Sequence, residues 1–256
     1  MTQNIKNQHR ADELLAAALL GDLRQPVNDN LLVRAEVPHS EQRWQTASIP
    51  GLQVRILEYR SVPRTRLTAL LRVDPAVESA TIPAVGVELL VQHGLVADDE
   101  TEYLHPFYLR NPADRAGAHA QLTLHCGSGS RACGTADLEF YLAIGQLENT
   151  DMQRRCINLA DSNLWLPGPV EHTQVLPLHM HNGSNAMLVR WLKATTFRPR
   201  LDPLGEEVLV INGKLHDALG SYTSGSWIRN PVAAWQAWSG EAGTTVYYKN
   251  GHFGDL

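Results

Sequence analysis

Gly205-Glu206-Glu207-Val208-Leu209-Val210 reads as a turn followed by a continuous apolar strand, and it has an earlier counterpart in Gly86-Val87-Glu88-Leu89-Leu90-Val91. The two stretches lie 119 positions apart. The same offset carries Gly94 onto Gly213, Asp98 onto Asp217, Tyr103 onto Tyr222 and Arg110-Asn111-Pro112 onto Arg229-Asn230-Pro231. β-Proteins reuse turn residues, but turn chemistry alone does not preserve Tyr and Arg at one fixed spacing. The chain reads as an internal duplication.

Outward from these stretches, short apolar runs alternate with Gly, Pro, Asn and Asp. Thr68–Val73, Val87–Val91, Glu207–Ile211 and Thr244–Lys249 are examples, and runs at this spacing predict a sandwich or barrel of many short strands. Asn212-Gly213 between two apolar runs predicts a hairpin, since both residues tolerate positive φ. Ala11 to Leu23 (ADELLAAALLGDL) predicts one short helix ending near Gly21, suited to docking or to a dimer contact. The expected division is a helical extension over 1–32, a first barrel over 33–150 and a second over 151–256.

Composition narrows the function classes. The 256 residues carry a net charge of −5, with 43% hydrophobic and 19% charged residues, as in a globular protein. Basic residues do not gather into the stripe that displaces counterions from nucleic acid, so no nucleic-acid partner is expected. No apolar run reaches the roughly 18 residues needed to cross a bilayer, and none is expected to engage a membrane. The polar N-terminus lacks the pattern of a signal peptide. Three cysteines, an odd number, suit a reducing compartment better than a disulfide framework. The expected location is the cytoplasm.

The second unit carries Gly205-Glu206-Glu207, Gly213, Asp217, Gly225-Ser226-Trp227-Ile228-Arg229-Asn230-Pro231 and Lys249-Asn250-Gly251-His252. In these residues it resembles the ChrR-type cupin family; the first unit matches only through the repeat. The resemblance implies an all-β protein of two tandem cupin barrels, each a double-stranded β-helix or jelly roll. Many cupins hold a metal with a His-x-His pair, a Glu four residues on, and a third His on a later strand. Residues i and i+2 of a strand share a face, so both imidazoles would point inward.

Carried over by the resemblance, Glu206 matches the Glu. The paired positions fall at Arg200 and Asp202, and the third His falls near Gln236, with Trp235 adjacent. The first unit has Thr81, Pro83, Val87 and about Gly117 there, which offer no ligand set. In the second, Asp202 and Glu206 could supply oxygen ligands to a divalent Zn or Fe. Arg200, a permanent cation, would instead repel a metal and neutralise both carboxylates. The expectation is therefore no cofactor, with an Arg200–Asp202/Glu206 network in place of the metal.

Other constellations carry less. His179-Met180-His181 lies 27 positions before Glu206 and reads as surface or loop histidines. His119, His125, Cys126 and Cys133 invite a zinc site, but Cys-x6-Cys departs from the usual knuckle spacing and the intervening Gly-Ser repeat suits an exposed hairpin tip. Cys156 follows two arginines that could lower its pKa, though a small hydrophobe is the simpler role. Among the six tryptophans, Trp235 and Trp238 flank the former metal strand and could line a pocket. No nucleophile elbow or phosphate loop is visible.

Within the family the resemblance implies three behaviours: iron-dependent dioxygenases cleaving diketone-like or acetophenone-like substrates, anti-sigma factors with an N-terminal zinc domain, and small-molecule-binding barrels. The first needs a metal site, the second a zinc-binding helical domain that the roughly 30 leading residues do not supply. The expectation is a catalytically inactive, metal-depleted bicupin that binds a small ligand or a protein partner in regulation, in the barrel-2 pocket formed by Arg200, Asp202, Glu206, Trp235, Gln236 and Trp238. The alternative is a metal-dependent dioxygenase, which a one-turn slip of alignment onto His172 or His216 would restore. A homodimer through the leading helix stays open.

Overall fold

The computed structural model describes residues 2–41, 43–112, 121–125, 140–148 and 150–253, with side chains from residue 9. Gly117, His119, Cys126 and Cys133 lie outside the described residues. The chain divides into two compact units. One holds Met1–Asp29 and Arg43–Ala160, the other Asn30–Gln42 and Asp161–Leu256.

Each unit faces a seven-stranded sheet with a four-stranded one. In the first, the large sheet runs Arg155–Asn158, Phe107–Asn111, Val87–Val91, Phe140–Ile144, Arg66–Val73, Leu52–Arg60 and Gln45–Thr46. In the second it runs Ala35–Val37, Trp227–Asn230, Glu206–Asn212, Thr245–Asn250, Ser184–Trp191, Thr173–His181 and Leu166–Pro167. The two orders are the same, as the duplication requires. A bulge recurs at the same place, with Leu57 between Ile56 and Glu58 and Leu178 between Pro177 and His179. The central strands Val87–Val91 and Phe140–Ile144 are buried at every residue, which is why they read as continuous rather than alternating apolar runs.

The repeated polar residues prove to be scaffolding. Asp98 Oδ1 accepts from the backbone N–H groups of Glu100 and Thr101, and Asp217 Oδ1 from those of Leu219 and Gly220, so each closes a turn. The same carboxylates take an O–H from Tyr103 and Tyr222, and an ion pair from Arg154 at 3.1 Å and Arg34 at 2.8 Å. The repeated Arg110 donates to the carbonyls of Asp151 and Gln153, and Arg229 to those of Asn30 and Val33. Each buried arginine thus holds the backbone leading into an edge strand.

Those edge strands revise the expected boundaries. Ala35–Val37 pairs with Trp227–Asn230 and Arg155–Asn158 with Phe107–Asn111. The segment preceding the first barrel therefore completes the second unit, and the segment preceding the second barrel completes the first. Sequence pattern assigns them the other way because it reads the chain in order, while an edge strand joins whichever sheet leaves N–H and C=O groups unpaired.

Two local expectations also change. The helix spans Thr2–Leu20 and passes into a 3-10 turn, Gly21–Leu23. Its Leu15, Ala16, Leu19 and Leu20 are buried in the core of the first unit, so it is a docking helix. Asn212-Gly213 is not a hairpin. Glu206–Asn212 belongs to the large sheet, while Lys214–His216 pairs with Ser221–Thr223 in the small one. Gly213, at φ +79°, turns the corner between sheets, and a Cβ there would meet Thr244 Cα at 2.7 Å.

Candidate functional site

The interiors of the two units differ although their frames match. In the first, Ala80, Ile82, Val87, Leu89, Val91, Phe107, Leu124, Phe140 and Leu142 belong to one apolar core. In the second, the inner face of the large sheet lines a cavity of about 870 Å³, a size that accepts a small organic molecule.

The sheet register grades this cavity from polar to apolar. At one end Asn185, Asn250, Glu206 and Asn230 are successive cross-strand partners. Two residues along, on the same face, come Met187, Tyr248, Val208 and Ile228. The next row is Val189, Val246 and Val210. Trp191 closes the apolar end, with Phe197 stacked on it at 5.3 Å between ring centroids.

At the polar end the expected network is present. Arg200 Nη2 lies 3.3 Å from both Asp202 Oδ2 and Glu206 Oε2, and donates to Tyr248 Oη at 2.7 Å. Glu206 is fully buried, and its Oε1 accepts from Trp238 Nε1 at 2.8 Å and Asn230 Nδ2 at 2.9 Å. Tyr248 Oη donates to Asp202 Oδ2 at 3.2 Å. Burial pushes Glu206 above the usual carboxylate range, although Asn230, Tyr248 and Arg200 oppose it. Burial and then the neighbouring Glu206 carboxylate push the Tyr248 phenol well up. Burial weakens the Arg200 cation, but Tyr248, Glu206 and Asp202 together more than restore it.

This donor set does not fit a divalent metal. Asp202 and Glu206 are two carboxylates bridged by one guanidinium, and both Glu206 oxygens are already engaged. Among the described residues no three His, Cys, Asp or Glu side chains stand close enough together to hold one. Neither His172 nor His216 lines the cavity. His172 lies by Glu171, and His216 contacts Ser221 and Glu241. In the first unit, Val87 occupies the core position that Glu206 takes in the second.

Of the sequence-derived pocket residues, Arg200 and Trp238 line the cavity, with Asp202 and Glu206 buried directly behind Arg200. Gln236 is buried as the cross-strand partner of Arg200. Trp235 does not join them. It is 70% exposed, because alternation along Ala234–Gln236 turns it away from its buried neighbour. Sequence reasoning missed Tyr248, Asn230, Met187 and Phe197. The signal for Tyr248 was period two: Val246 and Tyr248 share a face of a strand whose partners include Val208.

A model of the ChrR cupin-like domain matches residues 153–254. That stretch is a ChrR cupin-like domain. Among solved structures, protein Ylba from E. coli is similar at 14% identity with a TM-score of 0.60, covering 90% of this chain and 96% of that one. The bacterial pirin YhhW in complex with nickel(II), from Escherichia coli, is similar at 12% identity and a TM-score of 0.56, covering 85% and 98%. A Cupin 2 conserved barrel domain protein from Leptotrichia buccalis follows at 10% and 0.55, covering 88% and 99%. At these identities the likeness is one of fold. No curated protein sequence matches the chain.

The closing Lys-Asn-Gly-His of the ChrR cupin-like domain is structural. His252 Nε2 lies 2.9 Å from Glu207 Oε2, and Trp227 Nε1 donates to Glu207 Oε1. Gly251 has φ +72°, and a Cβ there would sit 2.4 Å from Gly183 O. The surface or loop reading of His179 and His181 is corrected: both lie on the strand Thr173–His181, with His179 buried and His181 half-buried. Cys156 is solvent-accessible on Arg155–Asn158; desolvation pushes its thiol up, and Arg154 only partly opposes this. No helix among the described residues is long and apolar enough to cross a membrane.

Proposed function

We propose that the ChrR cupin-like domain is a metal-free receptor for a small organic ligand, and that the first unit is a structural partner without a site. One observation carries this reading. Arg200 occupies the ground between Asp202 and Glu206, beside a mostly apolar cavity large enough for a ligand. A cation fixed on both carboxylates removes the open coordination positions that an oxygenase needs to activate dioxygen. What remains is shape, apolar surface and hydrogen-bonding groups, which are the means of a binding protein. Such a protein acts by reporting occupancy to others, so the role is regulatory rather than catalytic.

The test combines metal analysis with ligand titration. Protein from cells supplied with iron, zinc and manganese should purify with far less than one metal per chain. Binding of the apolar dye 8-anilinonaphthalene-1-sulfonate should be saturable and should disappear in Met187→Trp, which fills the cavity. Stoichiometric iron bound at Asp202 and Glu206 would overturn the proposal in favour of the dioxygenase reading.

A further inference from the structure

We infer that the ligand is a small monocarboxylate with an apolar, aromatic or acyl, body, its carboxylate held by Arg198 and Arg200. This deepens the proposed receptor function and rests on it.

Arg200 makes every contact described above through Nη2. Its side chain is 48% exposed and lines the cavity, and Nε and Nη1 have no hydrogen-bond partner among the described residues. The carboxylates and Tyr248 fix the guanidinium by one nitrogen, so little side-chain freedom is lost when the remaining edge takes a ligand. Such an edge matches the two oxygens of a carboxylate.

Arg198 lines the same cavity and has no carboxylate or carbonyl partner among the described residues. Asp202 and Glu206 lie buried behind Arg200 and do not line the cavity, whereas Arg198 and Arg200 both do. The wall that a ligand meets therefore carries two guanidinium groups and no carboxylate among the described residues, which favours an anion over a cationic head group.

The rest of the cavity specifies the body. Six residues of extended strand separate Asn185 from Trp191, about 20 Å at the usual rise. Beyond Tyr248 that length is lined by Met187, Val189, Val208 and Val246, and it ends on the Trp191–Phe197 stack. This surface rewards the removal of apolar groups from water and offers flat faces for a ring. A purely polar anion would leave it unsatisfied.

Calorimetric titration with 4-phenylbutyrate, 4-phenylbutanamide and 4-phenylbutylamine separates head-group charge from body. The acid should bind at least about tenfold more tightly than the amide, as charge-assisted hydrogen bonds require, and the amine most weakly. Arg198→Gln should lower the acid-to-amide ratio several-fold, chiefly by weakening binding of the acid, with Arg200 retaining part of the preference. Arg198 is exposed and bears no structural contact, so this variant keeps the fold. Met187→Trp should abolish binding of all three. Equal affinity for acid and amide in the wild type would overturn the carboxylate inference and leave the receptor reading standing. Failure of every probe to bind would overturn both, as would binding that survives Met187→Trp.

Discussion

Arg200 and Gln236 face each other as cross-strand partners, so two positions to which the family resemblance assigns histidine are neighbours across one strand pair. Beside that pair, the Arg200 guanidinium lies 3.3 Å from both the Asp202 and the Glu206 carboxylates. A cation that is part of the covalent chain needs no supply and cannot dissociate.

Removing that cation should be costly. Arg200→Gln leaves Asp202 and Glu206 buried with a shared negative charge, and should destabilise the protein by about 1–3 kcal/mol. This is less than a fully buried pair would lose, because Arg200 is half exposed. Denaturant unfolding checks it, and adding Glu206→Gln to the same chain should recover part of the loss. No change on Arg200→Gln would mean the network does not hold the strands.

Glu206 gives a pH dependence of defined sign. Its folded pKa lies above the unfolded value, so the folded state favours the protonated acid. Its contribution is fully present below the unfolded pKa and is lost as pH rises through the folded one. Glu206→Gln cannot lose it. The stability of the variant relative to wild type should therefore improve between pH 4 and pH 7.5, measured as the difference in unfolding free energy; a worsening would contradict the burial argument.

The two clasps on the edge strands should be of similar strength. Arg34→Met and Arg154→Met each strand a buried Asp, Asp217 or Asp98, beside its tyrosine. Each should cost about 2–4 kcal/mol, a range below or within that of fully buried pairs because both arginines keep some solvent contact. Chemical denaturation of the two variants checks this, and a large asymmetry would show that the repeat does not preserve the function of the clasp.

Cys156 should react slowly despite its accessibility. With its pKa raised, little thiolate exists at pH 7, and the thiolate is the attacking form. In a Cys126→Ser/Cys133→Ser background, iodoacetamide should alkylate it more slowly than free cysteine, with the rate climbing only above the ordinary thiol range. Fast labelling at pH 7 would mean that Arg154 outweighs desolvation.

Gly251→Ala should destabilise the second unit by more than about 1 kcal/mol, because positive φ and a contact with a backbone carbonyl are both penalised. Thermal unfolding measures it directly.

The fold was largely legible because its determinants repeat. Asp98 and Asp217, Tyr103 and Tyr222, Arg110 and Arg229 do the same work twice, and one offset exposes them. The site was legible only in part, because its residues do not repeat. Tyr248 corresponds in register to the core residue Leu142, and Glu206 to Val87. Arg200, Asp202 and Glu206 could be found from the family pattern. Tyr248 and Phe197 belong to no motif, and only strand pairing brings them to the cavity. The boundaries were misread for a different reason: which sheet an edge strand joins depends on vacancies in three dimensions, which periodicity does not encode.

That strand arrangement sets a timetable for synthesis. Ala35–Val37 leaves the ribosome early, yet its partner Trp227–Asn230 follows about 190 residues later, a delay of roughly 10–40 s at ordinary elongation rates. Arg155–Asn158, by contrast, finds Phe107–Asn111 already made. The first unit can close its sheet as it emerges, while the second must wait for its final third to be translated before a waiting early strand can join it.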